Sequence, residues 1–141
     1  MMQKQPVFTG VATALVTPTC ERGVDFEHLG KLIDFQIESG VAALVVCATT
    51  GEAPTLADDE HLDAIAFAVE RAAGRVPIIA GTGSNDTAHA VMMTRRACEL
   101  GADAILAVSP YYNKPPQNGL VRSFRTIADA SQKPVIVYNV P

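Results

Sequence analysis

Five short apolar runs in this 141-residue chain are each followed at once by small polar or aromatic residues, and these are the residues with chemistry to offer. Thr17-Pro18 follows the first run, Thr49-Thr50-Gly51-Glu52 the second, Gly81-Thr82-Gly83-Ser84-Asn85 the third and Ser109-Pro110-Tyr111-Tyr112-Asn113 the fourth. Tyr138 falls in the last turn of the fifth. Hydroxyls dominate and carboxylates are scarce. A divalent-metal site needs clustered carboxylates, whereas hydroxyls and backbone N–H groups suit a small carboxylate ligand. The tight turn at Thr50-Gly51-Glu52 would add consecutive backbone donors, an anion-binding arrangement. Bland readings stand beside these: Thr49 and Thr50 as β-favouring residues closing a loop, and Tyr138 as a strand tyrosine with a satisfied hydroxyl.

Other motifs exclude more than they assign. Gly81-Thr82-Gly83-Ser84 resembles a phosphate loop, but Asp86 occupies the third glycine's position, which argues against a nucleotide. His28, His61 and His89 fall on three different helices without ligand-spaced partners, so no metal site is expected. Cys20, Cys47 and Cys98 lack paired spacing and read as reduced thiols. Glu52 reads as a turn or helix-end residue. Pro110-Tyr111-Tyr112-Asn113-Lys114-Pro115-Pro116 is a proline-stiffened aromatic loop, a composition typical of an interface or a site. The lysines, Lys4, Lys31, Lys114 and Lys133, all lie outside the apolar strands, where burial would make an amine nucleophilic. The set therefore offers hydroxyl relays without a nucleophile.

The elements that must position these residues recur at intervals of roughly 30 residues, the length of one strand-plus-helix unit. Apolar runs at 11–16, 42–48, 76–80, 104–108 and 134–140 read as strands. They are continuous rather than alternating, as burial on both faces of a parallel sheet requires. Between them the spacing predicts four helices. The first follows Asp25 as N-cap, puts Leu29, Leu32, Ile33 and Ile37 on one face and stops at Gly40. The second buries Leu62, Ile65, Ala66 and Val69. The third starts after Asn85 or Asp86, carries Ala90, Met93, Ala97 and Leu100, and ends at Gly101. The fourth, from about Gln117, presents Leu120, Phe124, Ile127 and Ala128. The class is α/β.

Composition bounds the partners. A formal charge of −4, from 11 Lys and Arg against 15 Asp and Glu, argues against a nucleic-acid or anionic-membrane binder. No run reaches the roughly 18 apolar residues of a membrane span, and no apolar signal region follows Lys4, so a cytoplasmic location is expected. Two architectures accept the element order: an open doubly wound sheet, which fits the length, and a (β/α)8 TIM barrel, which needs roughly 250 residues. The sequence stops at the end of the fifth strand with no helix behind it, which favours a truncated barrel. Residues 1–141 are then the N-terminal part of a single barrel domain, strands one to five. In either architecture ligands bind beyond the carboxyl ends of the strands, where the hydroxyls lie.

Phe8-Thr9-Gly10 through Leu15-Val16-Thr17-Pro18, Thr49-Thr50-Gly51-Glu52, Ala80-Gly81-Thr82-Gly83, Pro110 to Pro115 and Tyr138-Asn139-Val140-Pro141 together resemble the dihydrodipicolinate synthase family, in order and end to end. The resemblance implies a lyase of the lysine (diaminopimelate) route that condenses pyruvate with L-aspartate 4-semialdehyde, holding pyruvate as a Schiff base on a lysine. It implies no separate cofactor. Thr49, Tyr112 and Tyr138 would form its proton relay, Thr49 and Thr50 would bind the pyruvate carboxylate, and Tyr112 would reach a neighbouring subunit of a homotetramer. A lysine-sensing cleft would draw on Ala53, Asp58, His61, Asn85, His89 and Tyr111. Of these, Ala53 and His89 depart from the usual serine and glutamate, which implies weak feedback by lysine. The family's Schiff-base lysine and substrate-greeting arginine fall beyond Pro141, so this chain alone is expected to be inactive. Ala48 also stands where glycine is usual. Sister pyruvate-dependent aldolases, such as N-acetylneuraminate lyase and keto-deoxy sugar acid aldolases, differ at the threonine pair and tyrosine loop. A non-catalytic open-sheet binding domain is the alternative of another class.

Overall fold

The computed structural model describes residues 6–140; Met1 to Gln5, which include Lys4, and Pro141 lie outside the described residues. Five parallel strands form one sheet in the order β1 (Ala12–Ala14), β4 (Ala43–Val46), β5 (Ile78–Gly81), β6 (Ala104–Val108), β7 (Val135–Tyr138). Every step in that order joins neighbours in the parallel sense, so all five carboxyl ends emerge on one side. Helices α1 (Phe26–Glu38), α2 (Asp58–Ala72), α3 (Thr87–Glu99) and α4 (Gln117–Ala130) supply the crossovers. The repeat read from the apolar runs is therefore the repeat that forms. An antiparallel ribbon of β2 (Thr19–Cys20) and β3 (Gly23–Val24) precedes α1; two-residue strands leave too little periodicity to detect.

Local chemistry explains where the helices begin. The Asp25 side chain accepts from the His28 backbone N–H at 3.0 Å and its Nδ1–H at 2.7 Å, contacts that hold the carboxyl below its usual range. Asp86 caps α3 in the same manner through Ala88 N–H. At α2 the three acidic residues Asp58, Asp59 and Glu60 occupy the first turn, where the helix dipole favours negative charge. Gly40 and Gly101 follow α1 and α3 with φ of +85° and +94°, the left-handed conformation of a helix stop.

The core lies between the sheet and these helices. Ile33 of α1, Leu44 of β4, Ile65 of α2, Ile78 of β5 and Ile105 of β6 are buried in one cluster. Two helix faces differ from the periodic reading. On α2 the fully packed stripe is His61, Ala64, Ile65, Ala68 and Ala72, with Leu62, Ala66 and Val69 on its margins. Small alanines let α2 approach the sheet closely, and the larger residues flank them. On α4, Ser123 and Ile127 are buried while Ala128 is exposed, because the Ser123 hydroxyl turns inward to meet Thr87 at 2.9 Å. The central strands are buried on both faces, but β1 and β7 are not: Val11, Val16 and Val137 are more than half exposed. Among the described residues each of these two strands has one sheet neighbour.

Candidate active site

The carboxyl ends of the strands enclose an open cavity of about 660 Å³. Its polar lining is Thr49, Ser109, Tyr111, Tyr112, Lys114 and Tyr138, and its floor and walls include Cys47, Ala48, Leu106 and Val108. Thr49 enters from the β4 loop, Tyr112 from the β6 loop and Tyr138 from the end of β7. Three segments far apart in sequence thus place hydroxyls around one space. Among the described residues no hydrogen bond joins these three hydroxyls directly.

The β4 loop is built by close backbone approach. Thr17 Oγ1, at the end of β1, donates to Gly51 O at 2.8 Å. A Cβ on Gly51 would lie 3.0 Å from that hydroxyl and 3.1 Å from Leu15 O, so a side chain there would force its neighbours to give way. The loop satisfies two of its own donors, Glu52 N–H on Thr49 O at 3.1 Å and Ala53 N–H on Ala48 O at 3.3 Å. The N–H groups of Thr50 and Gly51 have no such backbone acceptor among the described residues. The anion-binding turn read from the sequence is therefore partly consumed internally: Glu52 N–H is spent, and the free donors sit one and two residues earlier. A short 3₁₀ turn, Ala53–Thr55, then leads into α2.

The Gly81-Thr82-Gly83 segment, at the end of the neighbouring strand β5, forms the adjacent wall. Gly81 packs on the Cys47 carbonyl, and a Cβ on Gly83 would collide with Val108 N and lie 2.7 Å from Val108 Cγ1. These glycines let β5 approach β4 and β6, which gives the Gly-Thr-Gly pattern a packing role. The Thr82 hydroxyl is fully buried against Thr94 of α3 at 2.8 Å. On the tyrosine loop, Asn113 N–H donates to Tyr111 O at 2.8 Å, which closes a three-residue turn with Tyr112 at φ +71°. Tyr112 is 94% exposed. Asn113 Nδ2 also donates to Asn85 O at 2.7 Å, tying this loop to the one after β5.

The remaining sequence candidates divide between the cavity wall and its surroundings. Thr50 is exposed beside it. Ala53 and Tyr111 line it. Asp58 Oδ1 and His89 Nε2 pair across α2 and α3 at 2.8 Å. His61 turns inward, and its Nε2–H donates to Gly81 O at 2.8 Å; burial pushes its imidazole below the ordinary histidine range. Cys47, buried and lining the floor, has its thiol pushed up to about 12 by that burial. Sequence reasoning gave Cys47, Leu106 and Val108 no place in the site, because strand-end apolar residues look like core until the cavity above them is seen. No cluster of metal-ligating side chains occurs among the described residues. No helix there is long and apolar enough to cross a membrane.

A parallel β/α half-barrel with a hydroxyl-lined cavity at its carboxyl ends defines the class: a segment of a (β/α)8 barrel, with a cavity at the end of the strands where such barrels bind their ligands. The Dihydrodipicolinate synthetase family profile matches residues 7–141, and the chain belongs to that family. It is 52% identical over 138 residues to the 4-hydroxy-tetrahydrodipicolinate synthase of Acetivibrio thermocellus, covering 98% of this chain and 47% of that one. The enzyme of the same name from Caldicellulosiruptor saccharolyticus is 55% identical over 137 residues, 96% of this chain and 46% of the relative. The crystal structure of dihydrodipicolinate synthase from Aquifex aeolicus superposes with a TM-score of 0.91 at 53% identity, over 94% of this chain and 45% of that one. The chloride-inhibited enzyme from Acinetobacter baumannii, complexed with pyruvate, superposes with a TM-score of 0.90 at 48% identity, over 94% and 46%. The chain thus spans about half the length of the curated relatives it matches.

Proposed function

We propose that this chain supplies the first half of a 4-hydroxy-tetrahydrodipicolinate synthase, a lyase that condenses pyruvate with L-aspartate 4-semialdehyde through a lysine Schiff base. The observation that carries this reading is the convergence of Thr49, Tyr112 and Tyr138 on one cavity from three separate strand ends. In it Tyr138, fixed through its carbonyl by Ser109 N–H at 2.9 Å, moves protons during Schiff-base formation and cyclisation. Thr49 and Thr50, with the free Thr50 and Gly51 N–H groups beside them, bind the pyruvate carboxylate. Tyr112, exposed on its loop, completes the relay in a neighbouring subunit of a homotetramer. Lysine feedback would act through the surroundings of Ala53, Asp58, His61, Asn85, His89 and Tyr111. The proposed location is the cytoplasm.

None of the described lysines lies in a strand: Lys31 is on α1, Lys114 on the tyrosine loop and Lys133 after α4. The nucleophile therefore comes from elsewhere in a complete barrel, and residues 1–141 alone form no Schiff base. Borohydride trapping with pyruvate, read by intact mass, tests both statements. A complete barrel carrying residues 1–141 gains one reduced pyruvyl group, and the 141-residue chain gains none. An adduct on Lys31, Lys114 or Lys133, or turnover of a sugar-acid substrate in place of the semialdehyde, overturns the proposal.

A further inference from the structure

The floor of the cavity is held from behind by one residue of α2 that does not line it. His61 makes two polar contacts, one to each of two adjacent strand ends. Its Nε2–H donates to Gly81 O, the last residue of β5, at 2.8 Å. Its carbonyl accepts from Cys47 Sγ, the first residue after β4, at 3.7 Å. These two strand ends also touch one another directly: Gly81 packs so tightly on the Cys47 peptide that an added Cβ would lie 2.8 Å from Cys47 C and 2.9 Å from Ala48 Cα. His61, Cys47 and Gly81 therefore form a closed triangle in which no member shifts without the other two. His61 is 7% exposed and Cys47 2% exposed, so water is in no position to replace either contact.

Cys47 is also held in an unusual conformation. Its φ is +52°, a region that a residue with a side chain enters only when its surroundings over-determine it. The chain turns there from the direction of β4 into Ala48-Thr49-Thr50-Gly51, so the Cys47 torsion sets where the Thr49 hydroxyl emerges into the cavity. The triangle is what over-determines that torsion.

We infer that His61 is a positioning residue: by pinning the ends of β4 and β5 to α2 it fixes the Cys47 backbone turn and, through it, the placement of Thr49 and Thr50 for a carboxylate ligand. This rests on the proposed pyruvate-binding role of those threonines. It is independent of the effector-cleft role proposed above, because the two contacts use only Nε2 and the backbone carbonyl of His61. The depressed imidazole pKa agrees with the triangle, since a neutral ring keeps its Nε2–H for Gly81.

The test compares three variants in a complete barrel carrying residues 1–141. His61→Gln places an amide N–H at the reach of Nε2, His61→Asn keeps the polarity but falls short, and His61→Leu removes the donor. The expected result is a rise of about tenfold in KM for pyruvate in the Leu and Asn variants, with a smaller change in kcat and recovery in the Gln variant. Amide exchange in the same proteins gives a readout free of turnover: protection falls at Glu52, Ala53 and Thr82, whose N–H groups donate to Thr49 O, Ala48 O and Leu106 O, in the Leu variant, is restored in the Gln variant, and is unchanged across α4. If the Leu variant does not fold, the Asn and Gln pair carries the comparison. Unchanged pyruvate KM and unchanged exchange at Glu52 and Ala53 in a folded Leu or Asn variant overturn the inference. If the unsubstituted barrel neither turns over nor traps pyruvate, the functional reading fails, while the exchange measurement still decides whether His61 fixes the turn.

Discussion

Replacing Gly81 by alanine adds one methyl group, and the structure assigns it nowhere to go. The new Cβ overlaps the Cys47 carbonyl oxygen and lies 2.8 Å from Cys47 C and 2.9 Å from Ala48 Cα. All three are backbone atoms, which cannot swing aside as a long side chain can, so relief requires β5 to move away from β4. Overpacking a tight interior costs about 1–3 kcal/mol, and a backbone-to-backbone clash belongs at the upper end, near about 3 kcal/mol. Two other glycines calibrate that figure. Gly74 has open space around it but a φ of +74°, so Gly74→Ala incurs only the left-handed penalty of about 1–2 kcal/mol. Gly119 lies in the first turn of α4 with its nearest prospective neighbour, Pro116 Cδ, at an ordinary 3.4 Å, so Gly119→Ala gains about 0.5 kcal/mol of helix propensity. With a urea m-value of about 1.5 kcal/mol/M, the midpoints move by about −2, −1 and +0.3 M respectively. Urea unfolding followed by far-UV circular dichroism reads all three. A Gly81→Ala midpoint at or above that of Gly74→Ala refutes the claim that the strand ends are in backbone contact.

Four further outcomes follow from named contacts. Burial lowers the His61 pKa in the folded chain, so below the ordinary value of about 6.5 the unfolded chain takes up a proton that the folded chain refuses. Stability is complete above that pH and falls as pH drops toward the folded-state pKa; urea midpoints from pH 5 to 7.5 show this slope, and an equal slope in His61→Gln contradicts it. Iodoacetamide modifies exposed Cys20 and leaves buried Cys47, whose thiol is pushed up to about 12, untouched in the folded chain; equal labelling by peptide mass spectrometry is the contrary result. Millimolar lysine changes the rate of a complete barrel little, because Ala53 offers no hydroxyl and His89 is engaged by Asp58 at 2.8 Å in place of a free carboxylate; strong inhibition refutes this. The 141-residue chain self-associates at micromolar concentration through the exposed apolar residues of β1 and β7, and a sharp monomer peak on size exclusion contradicts that expectation.

The fold was legible because every crossover follows a strand written as an uninterrupted apolar run, and two of the four, α1 and α3, are also bounded by Asp25 or Asp86 at one end and Gly40 or Gly101 at the other. What escaped was set by contacts between distant segments. The α2 face was misplaced because periodicity weights bulky residues, whereas the sheet selects the alanine stripe that permits closest approach. Ala128 was misplaced because the Ser123–Thr87 hydroxyl pair rotates α4. At the site, the strand-end rule located Thr49, Tyr111, Tyr112 and Tyr138 because polar residues after a buried strand have few other places to lie. The roles of Gly81 and Gly83 were not legible, since a glycine in sequence does not say which backbone it lets approach.

The cavity is fixed unevenly, and that bears on how it can work. Around Thr49 the backbone is locked by Thr17 on Gly51, by Gly81 against Cys47 and by His61 behind both. Tyr138 is held at its carbonyl by Ser109. Tyr112 has no comparable support: its loop is anchored at Asn113, but its own side chain is 94% exposed. A proton relay needs its hydroxyls held to within a fraction of an ångström, because proton transfer falls off steeply once a hydrogen bond lengthens. From within this segment two of the three proposed members have the backbone behind them fixed, at Thr49 by the Gly51, Gly81 and Cys47 contacts and at Tyr138 by Ser109. The third gains its ordering only when a surface packs over it, which is what the proposed neighbouring subunit would provide. In the proposed reading assembly and catalysis are coupled at Tyr112: whatever orders the tyrosine loop would set the fraction of molecules in which the relay is complete.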